Sequence, residues 1–225
     1  MSERQSLYGS TIGKKAVMAL TGLILFGFTI GHMAGNLLVF LGPDAINAYA
    51  QGLKDTPPLL WGTRLTLLAA IPTHIVTAVA LTRATLAARP VAYQQQQHQA
   101  TSYAARTMRY GGLWLMFFVV FHLAHYTWFL FNPEYATLVD GQGRHDVYRM
   151  VIAGFSQPVL AIAYVVTMVA LGLHLSHGAW SMLQSLGLNH PRFNAYRNKI
   201  ALTFATLLAA GFSAVPIAVL TGIVK

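Results

Sequence analysis

The chain has no cysteine. That excludes disulfides, iron–sulfur ligation and thiolate zinc sites. It also excludes covalent haem attachment, which needs a Cys-x-x-Cys-His run, so any haem here is b-type, held by axial ligands and packing. Charge is the second scarcity. Only 9% of the 225 residues are charged, against about 25% in a soluble domain. All six acids (Glu3, Asp44, Asp55, Glu134, Asp140, Asp146) fall outside the long apolar runs or at their margins. The sequence therefore has no carboxylate ladder for moving protons across an apolar layer.

What is present is hydrophobic: 55% of the residues are apolar. A membrane span needs about 20 consecutive, mostly apolar residues. Five runs qualify, at about 16–41, 59–82, 110–131, 154–177 and 200–224. The first run is too long for a signal-peptide core and is read as a retained helix. The expected architecture is all-α: one integral membrane bundle of five transmembrane helices forming a single domain over 1–225.

The net charge of +9 raises nucleic acid as a partner, and its placement argues against it. Arg4, Lys14 and Lys15 precede the first span. Arg83, Arg89, Arg106 and Arg109 lie between the second and third, and Arg192, Arg197 and Lys199 between the fourth and fifth. Ten of the fifteen basic residues thus share one side with a single acid, Glu3. Lys54, Arg64, Arg144, Arg149 and Lys225 share the other side with five acids. The excess of Lys and Arg sets a cytoplasmic N-terminus and an outer C-terminus. The basic face suits anionic lipid heads or a soluble partner, and plain topogenic charge accounts for any one residue.

The feature that organises the chain is a histidine inside each of four runs: His32, His74, His122 and His174. An ionisable side chain in lipid is costly and usually has a partner. For one such histidine the default partner is a hydroxyl or carbonyl. Four on successive spans suggest a shared partner, and neutral imidazole is the commonest metal ligand. Depth sorts them into pairs. With a rise of about 1.5 Å per residue, His32 lies roughly 27 Å and His122 roughly 20 Å from the inner surface. His74 lies roughly 14 Å from the inner surface, and His174 roughly 30 Å from the outer one. His32 therefore belongs with His122 in an outer layer, and His74 with His174 in an inner one. His125 and His177, each three residues beyond a candidate ligand, are read as hydrogen-bond donors to haem propionates or quinone, or as interface residues.

Other signals are weaker. Gly27, Gly31 and Gly35 recur every four residues, as in close helix packing. Gly35 also shares a helical face with His32, where a flat macrocycle needs a gap in the side-chain wall. Pro72, two residues before His74, predicts a kink that orients the ring, and Pro216 interrupts the fifth span. Residues 42–58 and 132–150 read as outer loops, the latter with Asn132-Pro133 and Asp140-Gly141 turn signals. Trp114, Tyr126 and Trp128 form an aromatic belt. His98, beside the run Gln94–Gln97, together with His145 and His190, reads as an ordinary exposed histidine.

Several motifs together resemble a known family. They are Gly31-His-Met-Ala-Gly-Asn36, Pro72-Thr-His-Ile75, Phe121-His-Leu-Ala-His125 and Leu173-His-Leu-Ser-His-Gly-Ala-Trp-Ser181, preceded by Ser10-Thr-Ile-Gly-Lys-Lys15 and Met18-Ala-Leu-Thr-Gly22. The chain resembles, over nearly its whole length, the five-helix dihaem cytochrome b membrane anchor of succinate dehydrogenase and fumarate reductase. The resemblance implies two b haems with axial ligands His32, His74, His122 and His174, paired as the depths pair them. It implies a cell inner-membrane location, a flavoprotein and an iron–sulfur subunit docked on the basic face, and a membrane quinone as substrate. Some members of the family carry glutamates within their helices. Their lack here leans the reading toward succinate oxidation and quinone reduction.

The alternatives are another dihaem cytochrome b of a quinone-linked respiratory complex, the fumarate reductase direction, a histidine-lined transporter and an anchor that binds no haem. A quinone headgroup needs donors for its carbonyls and an apolar cleft near an interface. Two clusters qualify: Ser10, Lys14, Lys15 and His177 on the inner side, and Asn36, Arg64, His125 and Trp128 on the outer side, which is the preferred one.

Overall fold

The computed structural model describes residues 7–88, 91, 101–188 and 190–225, with backbone alone at 7, 191 and 193–195. Glu3, Arg4, Arg89, the Gln94–Gln97 run and His98 lie outside the described residues.

Among the described residues, five helices are long and apolar enough to cross a membrane, so the all-α multi-pass architecture is as expected. Helix α1 is Thr11–Leu37, started by Ser10, whose Oγ accepts the Gly13 N–H at 3.0 Å. A 3-10 turn, Leu38–Leu41, extends it. Helix α2 is Pro43–Lys54 and α3 is Pro57–Ala87. Helix α4 is Tyr103–Tyr126, α5 is Val147–Phe155, α6 is Pro158–Ser185 and α7 is Pro191–Leu220.

The structure departs from the expected element boundaries in three places. The stretch 42–58 is mostly helix, not loop. Pro43 takes a first-turn position, where its missing N–H costs nothing, and Asp44 and Lys54 sit at the ends the helix dipole favours. The third span stops at Tyr126, short of the apolar residues 127–131. There the N–H groups of Thr127 and Trp128 both turn back to the Leu123 carbonyl, and Phe129 takes a φ of 53°. Apolar composition continued past the residue where the backbone left the helix. The fourth run is divided: α5 ends at Phe155, and Pro158 opens α6 as a new helix. Neither internal proline breaks its helix, since α3 runs through Pro72 and α7 through Pro216. Membrane helices tolerate proline where neighbours satisfy the freed carbonyl.

Contacts between side chains fix the directions. Tyr8 Oη meets Thr77 Oγ1 at 3.2 Å and Thr21 Oγ1 meets His74 Nδ1 at 3.0 Å, so α1 and α3 are antiparallel. Trp114 Nε1 donates to Thr167 Oγ1 at 3.1 Å while His122 reaches Tyr164, so α4 and α6 are antiparallel too. The most extensive contact is α6 with α7, where small residues allow close approach. A Cβ at Gly172 would sit 3.1 Å from that of Ala209.

At the end of the bundle away from Ser10, α2, α5 and the segment between Tyr126 and Val147 form a cap. Its centre is Asn47, which is fully buried. The Asn47 amide donates to Asp140 (3.2 Å) and Asp146 (3.1 Å), and its oxygen accepts the Tyr148 N–H at 3.0 Å. Arg144 bridges Asp140 at 2.7 Å and Asp44 at 2.8 Å. The expected Asp140-Gly141 turn is present, with the Asp140 carboxylate accepting the N–H groups of Gln142 and Arg144. His145 is half-buried, contrary to the expectation of an exposed residue: its Nδ1 meets the Leu138 carbonyl at 3.1 Å.

Candidate functional site

The four span histidines come together in two pairs. The rings of His32 on α1 and His122 on α4 have centroids 5.8 Å apart. Those of His74 on α3 and His174 on α6 are 6.5 Å apart. Neither helix pair, α1 with α4 or α3 with α6, is among the closely packed ones. The histidines therefore face each other across gaps between helices.

The pairs occupy two levels. Gly22 and Thr21 on α1 stand beside His74, and Gly112 on α4 stands beside His174. His32 lies ten residues beyond Gly22, and His122 ten beyond Gly112. Either interval is roughly 15 Å along a helix. On α6 the same interval separates His174 from Tyr164, the neighbour of His122.

Hydrogen bonding bears on which ring nitrogens can take a ligand. Thr21 donates its hydroxyl hydrogen to the Val17 carbonyl at 2.8 Å. Toward His74 Nδ1 it therefore acts as acceptor, so Nδ1 carries the ring proton and the Nε2 lone pair is left for a ligand. His122 Nδ1 likewise faces a hydroxyl, that of Tyr164, at 3.4 Å. His174 Nδ1 is buried and unpartnered among the described residues.

This geometry can be tested against a metal. Two imidazoles on opposite sides of one ion, with nitrogens about 2.0 Å from it, have centroids about 6.3 Å apart. The observed 5.8 and 6.5 Å bracket that figure. Among the described residues, no group of three or more His, Asp or Glu side chains could hold a bare ion.

The surroundings of the two pairs differ. Around His32 and His122 lie Phe28, Phe118, Phe212, Tyr126 and Tyr164, with ring centroids 5.3–6.0 Å from one histidine or the other. Around His74 and His174 lie a threonine and two glycines, each glycine placing its missing Cβ 3.6 Å from an imidazole carbon.

The remaining candidates are scattered. His125 is 1% exposed; its Nδ1 meets Tyr164 Oη at 3.1 Å and its Nε2 is buried with no hydrogen-bond partner among the described residues. His177 lies 6.2 Å from the Trp180 ring. Asn36 is engaged in its own helix, donating to the His32 carbonyl at 2.8 Å. Arg64 is exposed, with its guanidinium 5.1 Å from the Trp61 ring centre. Trp128 is exposed just beyond α4. Ser10 caps α1, and the Lys14 ammonium donates to the Gly9 carbonyl at 3.2 Å. Gly35 does not open toward His32: a Cβ there would meet the Tyr49 ring at 2.7 Å, so that gap is filled by α2. Gly27 and Gly31 have no heavy atom within 4 Å of such a Cβ. The sequence reading missed Thr21 and Tyr164. Both are polar side chains within apolar runs, which is the signal that would have found them.

In comparisons with known proteins, no family model, curated sequence or solved structure matches the chain. The functional reading rests on the residues and their geometry.

Proposed function

We propose that the chain is the membrane anchor of a succinate:quinone oxidoreductase, carrying electrons through two b haems between an iron–sulfur subunit and a membrane quinone. The observation that carries this reading is the pairing itself: four histidines from four helices, two by two, at ligand spacing between helices that are not closely packed. The resemblance in sequence supplies the identity of the complex, and the pairs supply its electron path.

A haem bound at each pair supplies one-electron chemistry at its iron. The protein's residues do the rest. His32 and His122 would ligate one iron, His74 and His174 the other. Thr21 and Tyr164 hold the rings by their second nitrogens, which fixes tautomer and ring plane. The aromatic walls around His32 and His122 keep water from that level. The end of the bundle bearing Lys14, Lys15, Arg83, Arg106 and Arg109 is the cytoplasmic, basic face on which soluble subunits dock.

A reduced-minus-oxidised visible spectrum with a pyridine haemochrome assay tests the reading. Two b haems per chain are expected. One or none overturns it.

A further inference from the structure

The cap is made of two leaves, and each rests on one half of the His32/His122 pair. Helix α2 lies against α1: the Tyr49 ring fills the space beside Gly35, three residues beyond His32. Helix α5 lies against α4 and α6. Gly154 packs on the Tyr126 hydroxyl, and the Phe155 ring is 5.7 Å from that of Tyr126 and 5.0 Å from that of Tyr164. Tyr126 and Tyr164 in turn stand 5.9 and 6.0 Å from the His122 ring. The α2 leaf thus covers the His32 side and the α5 leaf the His122 side.

Beneath the leaves lies a continuous buried apolar cluster, to which Val39, Ile46, Val151, Phe155, Tyr164 and Val219 belong. The end of the chain is fastened to the same cover, since Tyr148 Oη donates to the Lys225 main-chain oxygen at 2.8 Å.

One side chain joins the leaves. Asn47 on α2 is 0% exposed and makes its three hydrogen bonds with Asp140, Asp146 and the Tyr148 N–H. Asp146 is also the N-cap of α5, where its carboxylate accepts the Arg149 N–H at 3.0 Å. All three Asn47 bonds therefore cross from α2 to α5 and the segment leading into it. A buried amide is stable only with its bonds made. Water entering here would hydrate the amide and the carboxylates separately, so the latch holds while the site stays dry.

We propose that α2 and α5 form a two-leaved lid, latched by Asn47, that closes the His32/His122 level to water and hydrophilic solutes from the capped end. On the function proposed above, an electron at that level is then exchanged only with the other pair or with a partner dissolved in the lipid. A water-soluble carrier at the capped end is excluded as its partner.

The chain has no cysteine, so one introduced thiol reports access. Phe212→Cys and Met33→Cys are two probes at the His32 level: the Phe212 ring is 5.8 Å from that of His32, and Met33, the next residue, packs on Gly211 of α7. Glu134→Cys, exposed on the cap, is the reference. The full chain in its complex is placed in sealed vesicles with the capped end outward, as shown by complete labelling of Glu134→Cys from outside. The reagent is a trimethylammonium-bearing methanethiosulfonate, which is charged and stays in the water. Both probes should react at least about 100-fold more slowly than the reference, as for sites exposed only when a packed unit opens. Adding Asn47→Asp keeps the size, removes both donors and sets a third carboxylate beside Asp140 and Asp146. Labelling should then speed up at least about tenfold, and Asn47→Ala should act in the same direction. Labelling of either probe at the reference rate with Asn47 intact overturns the lid, and so does an unchanged slow rate in both Asn47 variants. The readout needs no haem, so a protein found without haem overturns the electron-carrier reading and leaves the lid standing.

Discussion

Thr21 Oγ1 and His74 Nδ1 stand 3.0 Å apart, and the threonine's own hydrogen is committed to the carbonyl one turn back. A hydroxyl with its hydrogen engaged elsewhere can only accept, and that orients the imidazole. Thr21→Val keeps the shape and removes the acceptor. On the proposed function, the expected result is a 10–100-fold loss of affinity for a haem at His74 and His174, in line with the hydrogen-bonded partners of metal-binding histidines. Thr21→Ser should restore it. Haem retained after gel filtration in detergent is the measurement.

On the proposed function, the pairing predicts which haem each substitution would remove. His32→Ala and His122→Ala should each leave one b haem with one shared spectrum, and His74→Ala and His174→Ala should each leave the other. Low-temperature difference spectra of the four variants would then fall into two classes. Four different spectra, or full haem in any variant, would break the pairing.

The cap should be an acid-labile unit. Burial works against the charge on Asp140, yet the hydrogen bonds from the Arg144 side chain, from the Arg144 and Gln142 backbone and from Asn47 outweigh it and hold the carboxyl at about 2. Because the folded value is depressed, the stabilisation is fully present above the unfolded carboxylate range of about 3.9 and is lost as pH falls through about 2. The protection of α2 and α5 amides, relative to their intrinsic exchange rates at each pH, should therefore be constant down to about pH 4 and fall below it. Asn47→Ala should remove the protection at neutral pH, since it strips three hydrogen bonds from one buried side chain.

Gly154 packs α5 against the buried hydroxyl of Tyr126, where a Cβ would overlap the oxygen. Gly154→Ala should destabilise the capped end by about 1–3 kcal/mol, the usual cost of overpacking a filled site. Thermal unfolding in detergent would show it. Combining the change with Tyr126→Phe should recover much of the loss.

Much of this was legible because lipid imposes simple constraints. Backbone groups must be satisfied within the helix, so long apolar runs announce themselves, and a histidine inside one stands out. Helical rise then converts sequence position into depth, and the pairs follow. The cap was not legible in the same way. Residues 42–58 read as an outer loop, yet Pro43 and Asp44 are start signals of α2, and the tertiary contact of Asn47 with Asp140 and Tyr148 holds that helix in place. The end of α4 hides a reversal at Phe129 inside apolar sequence, because no composition signal marks a residue at positive φ when it is not glycine. Gly35 looked like room for a macrocycle, and Tyr49 from a helix read as loop fills it. Tyr164 is a single aromatic among apolar neighbours, and its two histidine contacts lie 42 and 39 positions away.

The separation of the two histidine levels has an electrical consequence. Levels roughly 15 Å apart along the helices stand about half the thickness of a hydrocarbon core of about 30 Å apart. On the proposed function, an electron passed from one to the other would cross about half of the voltage across the membrane, worth about 1.1 kcal/mol for each 100 mV. Transfer in one direction would then be helped by an energised membrane, and transfer in the other opposed by it. The proportion of reduced centre at each level should track the imposed voltage in sealed vesicles, with no change of substrate or of pH.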